Sequence, residues 1–402
     1  MSLPKNFCVS PFIQLTTHPS GSFGPCPYLG GTQWELDPTQ NTITDQWNST
    51  TLTDLRKQFI NNEKPAICQR CWHEEDNNKR SLRQRFWDPA ARTQTTDFTS
   101  LVTTELIEEI KDNIKKDILN LPIILTIKNG NVCNAKCRPC HPGCSSRWSE
   151  DTEKLFDITG KKYYNITTNE TNWTDQQLEE ILTLSKNLRR LELFGGEPTY
   201  NKKVIWLLNQ LVEQGLSKNI VLYINTNGSV NIVEKIPNIK EFARVEIGVS
   251  IDGVKEHFDY IRHGLDYNQV ITNVKLWQAY FKQYNVDYWI DSISTVDILN
   301  IYYLPELKQA VKEVLPLSPF WNLLVQPEYL FIKNMPDHVK SAVIEKLSSD
   351  VEFADLINVI QKPADLKEWD KFLEVTSALD KIRNENFKEI FSEFNSIIKG
   401  VQ

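Results

Sequence analysis

The chain has 402 residues, enough for two or three domains that each bury a core, and its 40% hydrophobic and 24% charged content is that of an ordinary globular protein. No apolar run approaches the roughly 18 residues of a membrane helix, and MSLPKNFCVSPF lacks a secretory signal's basic and apolar regions, so no membrane partner and a cytoplasmic location are expected. With a net charge of −7 and dispersed Lys and Arg, nucleic acid is a disfavoured partner; even Lys111, Lys115 and Lys116 alternate with acids, as on a solvated helix face.

Residues 1–85 are rich in Gly, Pro, Asn and Thr, with short apolar stretches such as PFIQL, and predict small strands and turns. So little apolar sequence would gain from a metal tying its loops together. Residues 86–120 read as a connector into an amphipathic helix, SLVTTELIEEIKDNIKKDIL. From 121 to 335 the pattern alternates strand and helix. Strands are predicted at 121–128, 188–195, 219–227, 243–251, 286–295 and 321–327, with helices such as TDQQLEEILTLSKN, NKKVIWLLNQLVEQ and YNQVITNVKLWQAYFKQ between them. Six such units predict a parallel α/β sheet curled into a full or partial TIM-like barrel, with ligands at the C-terminal strand ends. The region 336–402 reads as helical and shows no chemistry.

Eight cysteines without a secretion signal suit metal or catalytic roles better than disulfides. Four lie within the first 71 residues, four between 133 and 144, and none in the remaining 258. Directly after the first predicted barrel strand, NGNVCNAKCRPCHPGC spaces them Cys133-x3-Cys137-x2-Cys140. Three thiolates this close can wrap one cuboidal cluster and leave an iron open to an external ligand. The spacing also admits a zinc completed by Cys144 or His141. At later strand ends stand Gly195-Gly196-Glu197-Pro198, Asn225-Thr226-Asn227-Gly228, Ser250 and Asp252 in GVSIDG, and then Tyr260-Ile261-Arg262. Singly these read as a strand-end turn, a helix cap or a surface ion pair. Their succession is the stronger signal.

CxxxCxxC followed by these segments resembles the radical S-adenosylmethionine (SAM) superfamily across roughly residues 121–330. The resemblance implies a partial (β/α)6 barrel and a SAM-binding [4Fe–4S] cluster on Cys133, Cys137 and Cys140. SAM would be held by Gly195, Gly196, Glu197, Pro198, Asn225, Asn227, Ser250, Asp252 and Arg262. It further implies reductive cleavage to a 5′-deoxyadenosyl radical and an external electron donor such as flavodoxin or ferredoxin. The residue before the third cysteine, often aromatic in the family, is Pro139 here. No general base is identified.

Cys8, Cys26, Cys68 and Cys71 form a second set, with a metal-knuckle spacing in Cys68-x2-Cys71. Together with CVSPFIQLTTHPSGSFGPC it resembles the SPASM/twitch auxiliary domain of radical SAM enzymes, placed before the barrel rather than after it. That implies an auxiliary [4Fe–4S] cluster, with zinc as the alternative occupant, and a peptide, protein or small polar substrate that is oxidised or otherwise modified. His18 and His73 are read as spare histidines. The competing reading is a zinc-stabilised binding protein without SAM chemistry.

Overall fold

The computed structural model describes residues 4–17, 23–29, 42–76, 81–86, 101–115, 121–128, 130–165 and 174–400; His18 lies outside them. All six predicted barrel strands are present. Numbered along the chain after two N-terminal strands, they are β3 (Ile124–Lys128), β4 (Arg190–Phe194), β5 (Val221–Thr226), β6 (Arg244–Ser250), β7 (Tyr288–Val296) and β8 (Phe320–Leu323). The last is shorter than predicted, ending before Pro327, which has no N–H to give a ladder. All six pair in parallel and in order. The sheet is not closed, so the barrel is a partial one.

The N-terminal strands do not form a sheet of their own. β1 (Gln14–Thr17) pairs in parallel with β3, and β2 (Phe23–Gly24) pairs antiparallel with β1 at the sheet's edge. Residues 42–76 are helical where turns were expected. The helix Thr50–Ile60 is capped by Ser49 and buries Leu52, Leu55 and Phe59 on one face. That stripe follows helical spacing but is interrupted by polar residues, which hid it among turn signals.

Strand alternation separates the sheet's two faces. Leu125, Leu191, Leu222, Ile224, Val245, Ile247, Val249 and Ile290 form the outer, apolar face, buried beneath the helices. There, a Cβ on Gly228 would meet both Val249 and Val270 of the helix Tyr267–Gln283. The opposite face is polar. Thr126, Glu192, Tyr223, Glu246 and Trp289 lie in register across five strands. Arg190 neutralises the middle of this lumen, with contacts of 2.7 Å to Glu192 and 2.8 Å to Glu246.

The C-terminal region is helical, as predicted, and packs on the barrel. Its longest helix, Leu366–Arg383, lies against the helix Trp148–Thr159 that leaves the three-cysteine loop. Among the described residues no helix is long and apolar enough to cross a membrane. Ile247 is fully buried in a central strand; Ile247→Ala should destabilise the fold by about 3 kcal/mol, read from the urea midpoint at unchanged m-value.

Candidate active site

The loop between β3 and the helix Trp148–Thr159 carries Cys133, Cys137 and Cys140, and it is held by the ends of β4 and β5 and by the end of the helix Glu256–Ile261. Glu197 N–H donates to Val132 O at 2.8 Å, Lys136 N–H to His263 O at 2.9 Å, and Arg138 N–H to Ile261 O at 2.8 Å. Asn134 receives Asn227 Nδ2 at 2.8 Å and donates to Ser229 at 2.9 Å. Within the loop, Trp148 Nε1 caps Cys137 O at 2.9 Å and Ser145 caps Ala135 O at 2.6 Å.

The double glycine has a definite steric function. Gly196 has φ +52°, and a Cβ there would lie 2.2 Å from Val132 O. Only glycine permits this approach. The Glu197 carboxylate, 1% exposed, is fully engaged with the protein. It accepts from Thr199 N, Thr199 Oγ1, Thr226 Oγ1 and Asn227 N at 2.5–3.1 Å. Burial raises its pKa, and these bonds partly offset that. Asn227 is likewise engaged, accepting from Ser229 and donating to Asn134. Pro198 opens a short turn behind Glu197.

Ser250 is half-buried at the end of β6. Asp252 is fully buried and accepts from Thr295 N at 2.7 Å, so it is not a helix cap. Arg262 is a buried partner rather than a surface ion pair. Its Nε lies 2.6 Å from Asp252 Oδ2, and its Nη1 is 3.7 Å from Cys137 Sγ. The Nε–Oδ2 contact is short but misdirected, since neither atom has an aligned hydrogen-bond partner. The two groups pair by charge, with hydrogen-bonding capacity left over. Asn225 Oδ1 is also buried and unpartnered.

All eight cysteines are free thiols. Cys137 is lowered to about 6 by its hydrogen bond with Cys140 and by the Arg262 charge, against burial; the same bond, together with burial, raises Cys140. Burial pushes Cys133 up to about 12. Cys144 sits beside them, its Sγ 3.4 Å from His141 Nε2. In the N-terminal segment Cys8, Cys26, Cys68 and Cys71 line one apolar cavity with Leu29, Leu55, Phe59, Leu82 and Phe86. Burial raises all four thiols. Among the described residues no three Cys, His, Asp or Glu side chains converge on a single-ion site.

Sequence reasoning missed the C-terminal buttress of the three-cysteine loop. Arg138, between Cys137 and Pro139, contacts Asp380 and Glu385 at 2.6 Å each and stacks 3.6 Å over the Tyr260 ring. Lys136 and Arg383 both contact Asp151, at 2.6 and 2.8 Å, and Glu385 also holds His263 at 2.6 Å. No local pattern pairs residues separated by more than 230 positions.

Residues 127–290 match the family model of the radical SAM superfamily, and this chain carries a domain of that superfamily there. It is 25% identical over 183 residues to the mitochondrial GTP 3′,8-cyclase of Arabidopsis thaliana, covering 44% of this chain and 42% of the cyclase. The chain therefore spans less than half of that relative's length. Among solved structures it is similar to anSMEcpe with bound AdoMet (21% identity, 56% of this chain and 62% of that one, TM-score 0.35). It is also similar to SuiB of Streptococcus suis (14% identity, 89% and 70%, TM-score 0.36), which has also been solved with its precursor peptide SuiA. At these TM-scores the similarities decide nothing further about this chain.

Gly196→Ala should cost about 2 kcal/mol through overpacking against Val132 and lower the iron retained after anaerobic reconstitution. Arg138→Met, which strands two part-buried carboxylates, should cost about 3 kcal/mol in urea unfolding.

Proposed function

We propose that the chain is a radical SAM enzyme acting on a peptide, protein or small polar substrate, with Cys133, Cys137 and Cys140 holding a [4Fe–4S] cluster. The observation that carries this reading is one loop bearing three thiols, fastened at once to the GGEP, TNG and YIR segments. Two features support the fit. The donor set is three thiols with an already acidified member beside a guanidinium, suited to a cluster that leaves one iron open. Asp252 and Arg262 keep unused hydrogen-bonding capacity, a carboxylate and a cation that match an amino acid's ammonium and carboxylate.

When bound, the cluster and SAM together supply a 5′-deoxyadenosyl radical able to abstract hydrogen from an unactivated carbon. The chain's own part is to bind and orient. Gly195 and Gly196 bring backbone to the loop, while Ser250, Asp252 and Arg262 face the cofactor. Glu197, Pro198 and Asn227 act by fixing the strand ends, and Asn225 stands where the rim meets the lumen. Arg138 and Lys136 hold the loop from behind. An external donor such as flavodoxin or ferredoxin supplies the electron.

We further propose that residues 1–85 form an auxiliary metal unit on Cys8, Cys26, Cys68 and Cys71, with 86–120 as connector, 121–335 as barrel and 336–402 as buttress. A cluster is favoured over zinc because radical chemistry in the barrel gives an electron carrier a use. Such a cluster could take an electron from a substrate radical, making the net reaction a two-electron oxidation.

Anaerobically reconstituted protein should bind about eight irons and release 5′-deoxyadenosine from SAM with dithionite. Cys137→Ala should abolish that release, whereas colourless protein with stoichiometric zinc and no SAM cleavage would defeat the proposal. Cys68→Ala with Cys71→Ala should lower iron to about four per chain and keep the absorbance near 400 nm. An unchanged iron count would remove the auxiliary cluster from the reading.

A further inference from the structure

We infer that Lys128 sets the reduction potential of the auxiliary unit: its ammonium, held where the barrel rim meets the four-cysteine cavity, favours the reduced form of a cluster on Cys8, Cys26, Cys68 and Cys71. The inference rests on the auxiliary-cluster reading and names the barrel residue that acts on that cluster.

Lys128 is the last residue of β3, directly before the three-cysteine loop. Its N–H donates to Thr17 Oγ1 at 3.0 Å, which ties the end of β3 to β1. Strand alternation puts its side chain on the polar face with Thr126 rather than under the helices. From there Nζ reaches the carbonyl oxygen of Pro27 at 3.5 Å, one residue beyond Cys26. Cys26 lines the cavity together with Cys8, Cys68 and Cys71. A side chain of the barrel thus delivers its charge to the N-terminal segment.

The other groups around the cavity belong to that segment itself. Backbone N–H groups of Ser10, of Tyr28 with Leu29, and of Arg83 donate to Cys8, Cys26 and Cys71 respectively. Two guanidiniums stand nearby, and each has a carboxylate of its own. Arg83 meets Glu75 at 2.5 Å, and Arg70, 3.8 Å over the Tyr28 ring, meets Glu74 at 3.4 Å. Lys128 is different. The charges it feels are Cys26 and Cys144, of opposite sign, and Arg70, of like sign. Removing an ammonium from water costs free energy unless negative charge is close. Four thiolates on a cluster supply that charge, and a one-electron reduction adds to it.

The direction of the effect follows from charge alone. Net charge beside a cluster is one of the levers on its potential, and a cation raises it. A unit charge within about 10 Å, at an effective dielectric of about 20, is worth roughly tenfold in the reduction equilibrium. The cluster nearer Cys26 feels it more than the one on Cys133, Cys137 and Cys140, where the closest approach is to Cys144, outside the proposed ligand set. Lys128 therefore makes the auxiliary unit the better electron acceptor.

The test is a redox titration followed by EPR on the anaerobically reconstituted full chain, comparing wild type with Lys128→Met and Lys128→Arg. The signal left unchanged by adding SAM reports the auxiliary cluster. Lys128→Met, with iron still near eight per chain, should lower the midpoint of that signal by about 59 mV, a tenfold change for one electron. The SAM-sensitive signal should move less, and Lys128→Arg should restore at least half of the shift. If Lys128→Met loses iron, Lys128→Gln, which keeps a donor for Pro27, carries the same expectation. An unmoved midpoint at full iron content, a larger shift in the SAM-sensitive signal, or an equal fall in Lys128→Arg would overturn the inference and leave the auxiliary cluster standing. Wild type with about four irons and no SAM-insensitive signal would instead remove the auxiliary cluster, and this inference with it.

Discussion

The site depends on one close approach, the Gly196 backbone against the Val132 carbonyl. It sets the end of β4 on the three-cysteine loop, and Glu197 then gathers β5 through Thr226 and the Asn227 backbone. At this junction the contacts run through backbone and buried carboxylate oxygens rather than through long side chains. A loop of this length, left to itself, would sample many conformations at a cost of about 1–2 kcal/mol per residue ordered. Its fastenings to two strand ends and to the end of the helix Glu256–Ile261 offset that cost before any cofactor binds.

Both flanks of the chain are built onto this junction. From the C-terminal side, Asp380, Arg383 and Glu385 interlock with Arg138, Asp151 and His263 in a largely buried ion network around Trp148 and Tyr260. From the N-terminal side the link runs through the sheet itself. Ser10 donates to Gln14, Gln14 to Thr126, and Thr126 to Glu192, so a hydrogen-bonded chain leads from the four-cysteine cavity into the lumen. Lys128 lies between the two cysteine groups, its buried amine lowered by desolvation and drawn back up by Cys26 and Cys144.

The lumen reverses the usual arrangement of a core. Its outer face is aliphatic and packed, while its inner face holds Glu192, Arg190, Glu246, Asp291 and Tyr223, all nearly inaccessible. Desolvating so many polar groups costs stability, and the Arg190 pairs only partly compensate. Asp291 is where compensation within the chain fails.

From residue 121 onward the sequence alone determined the order of strands and helices, because each is written in a local period that burial on one face requires. YNQVITNVKLWQAYFKQ forms a helix over the full 267–283, and five of the six barrel strands begin within two residues of their predicted starts, the sixth beginning three later, at Ile124. It also marked the cysteine loop and the strand-end segments, since cluster ligation and close backbone approach demand particular residues at particular spacings. Tertiary structure alone decided which of those residues are engaged. Glu197 and Asn227 are consumed in holding the loop, Asp252 meets Arg262, and Asp291 accepts from Trp289. Only tertiary structure joined β1 to β3 and brought Asp380 and Glu385 to Arg138. Ion pairs and parallel ladders form between residues more than a hundred positions apart, and no local period encodes them.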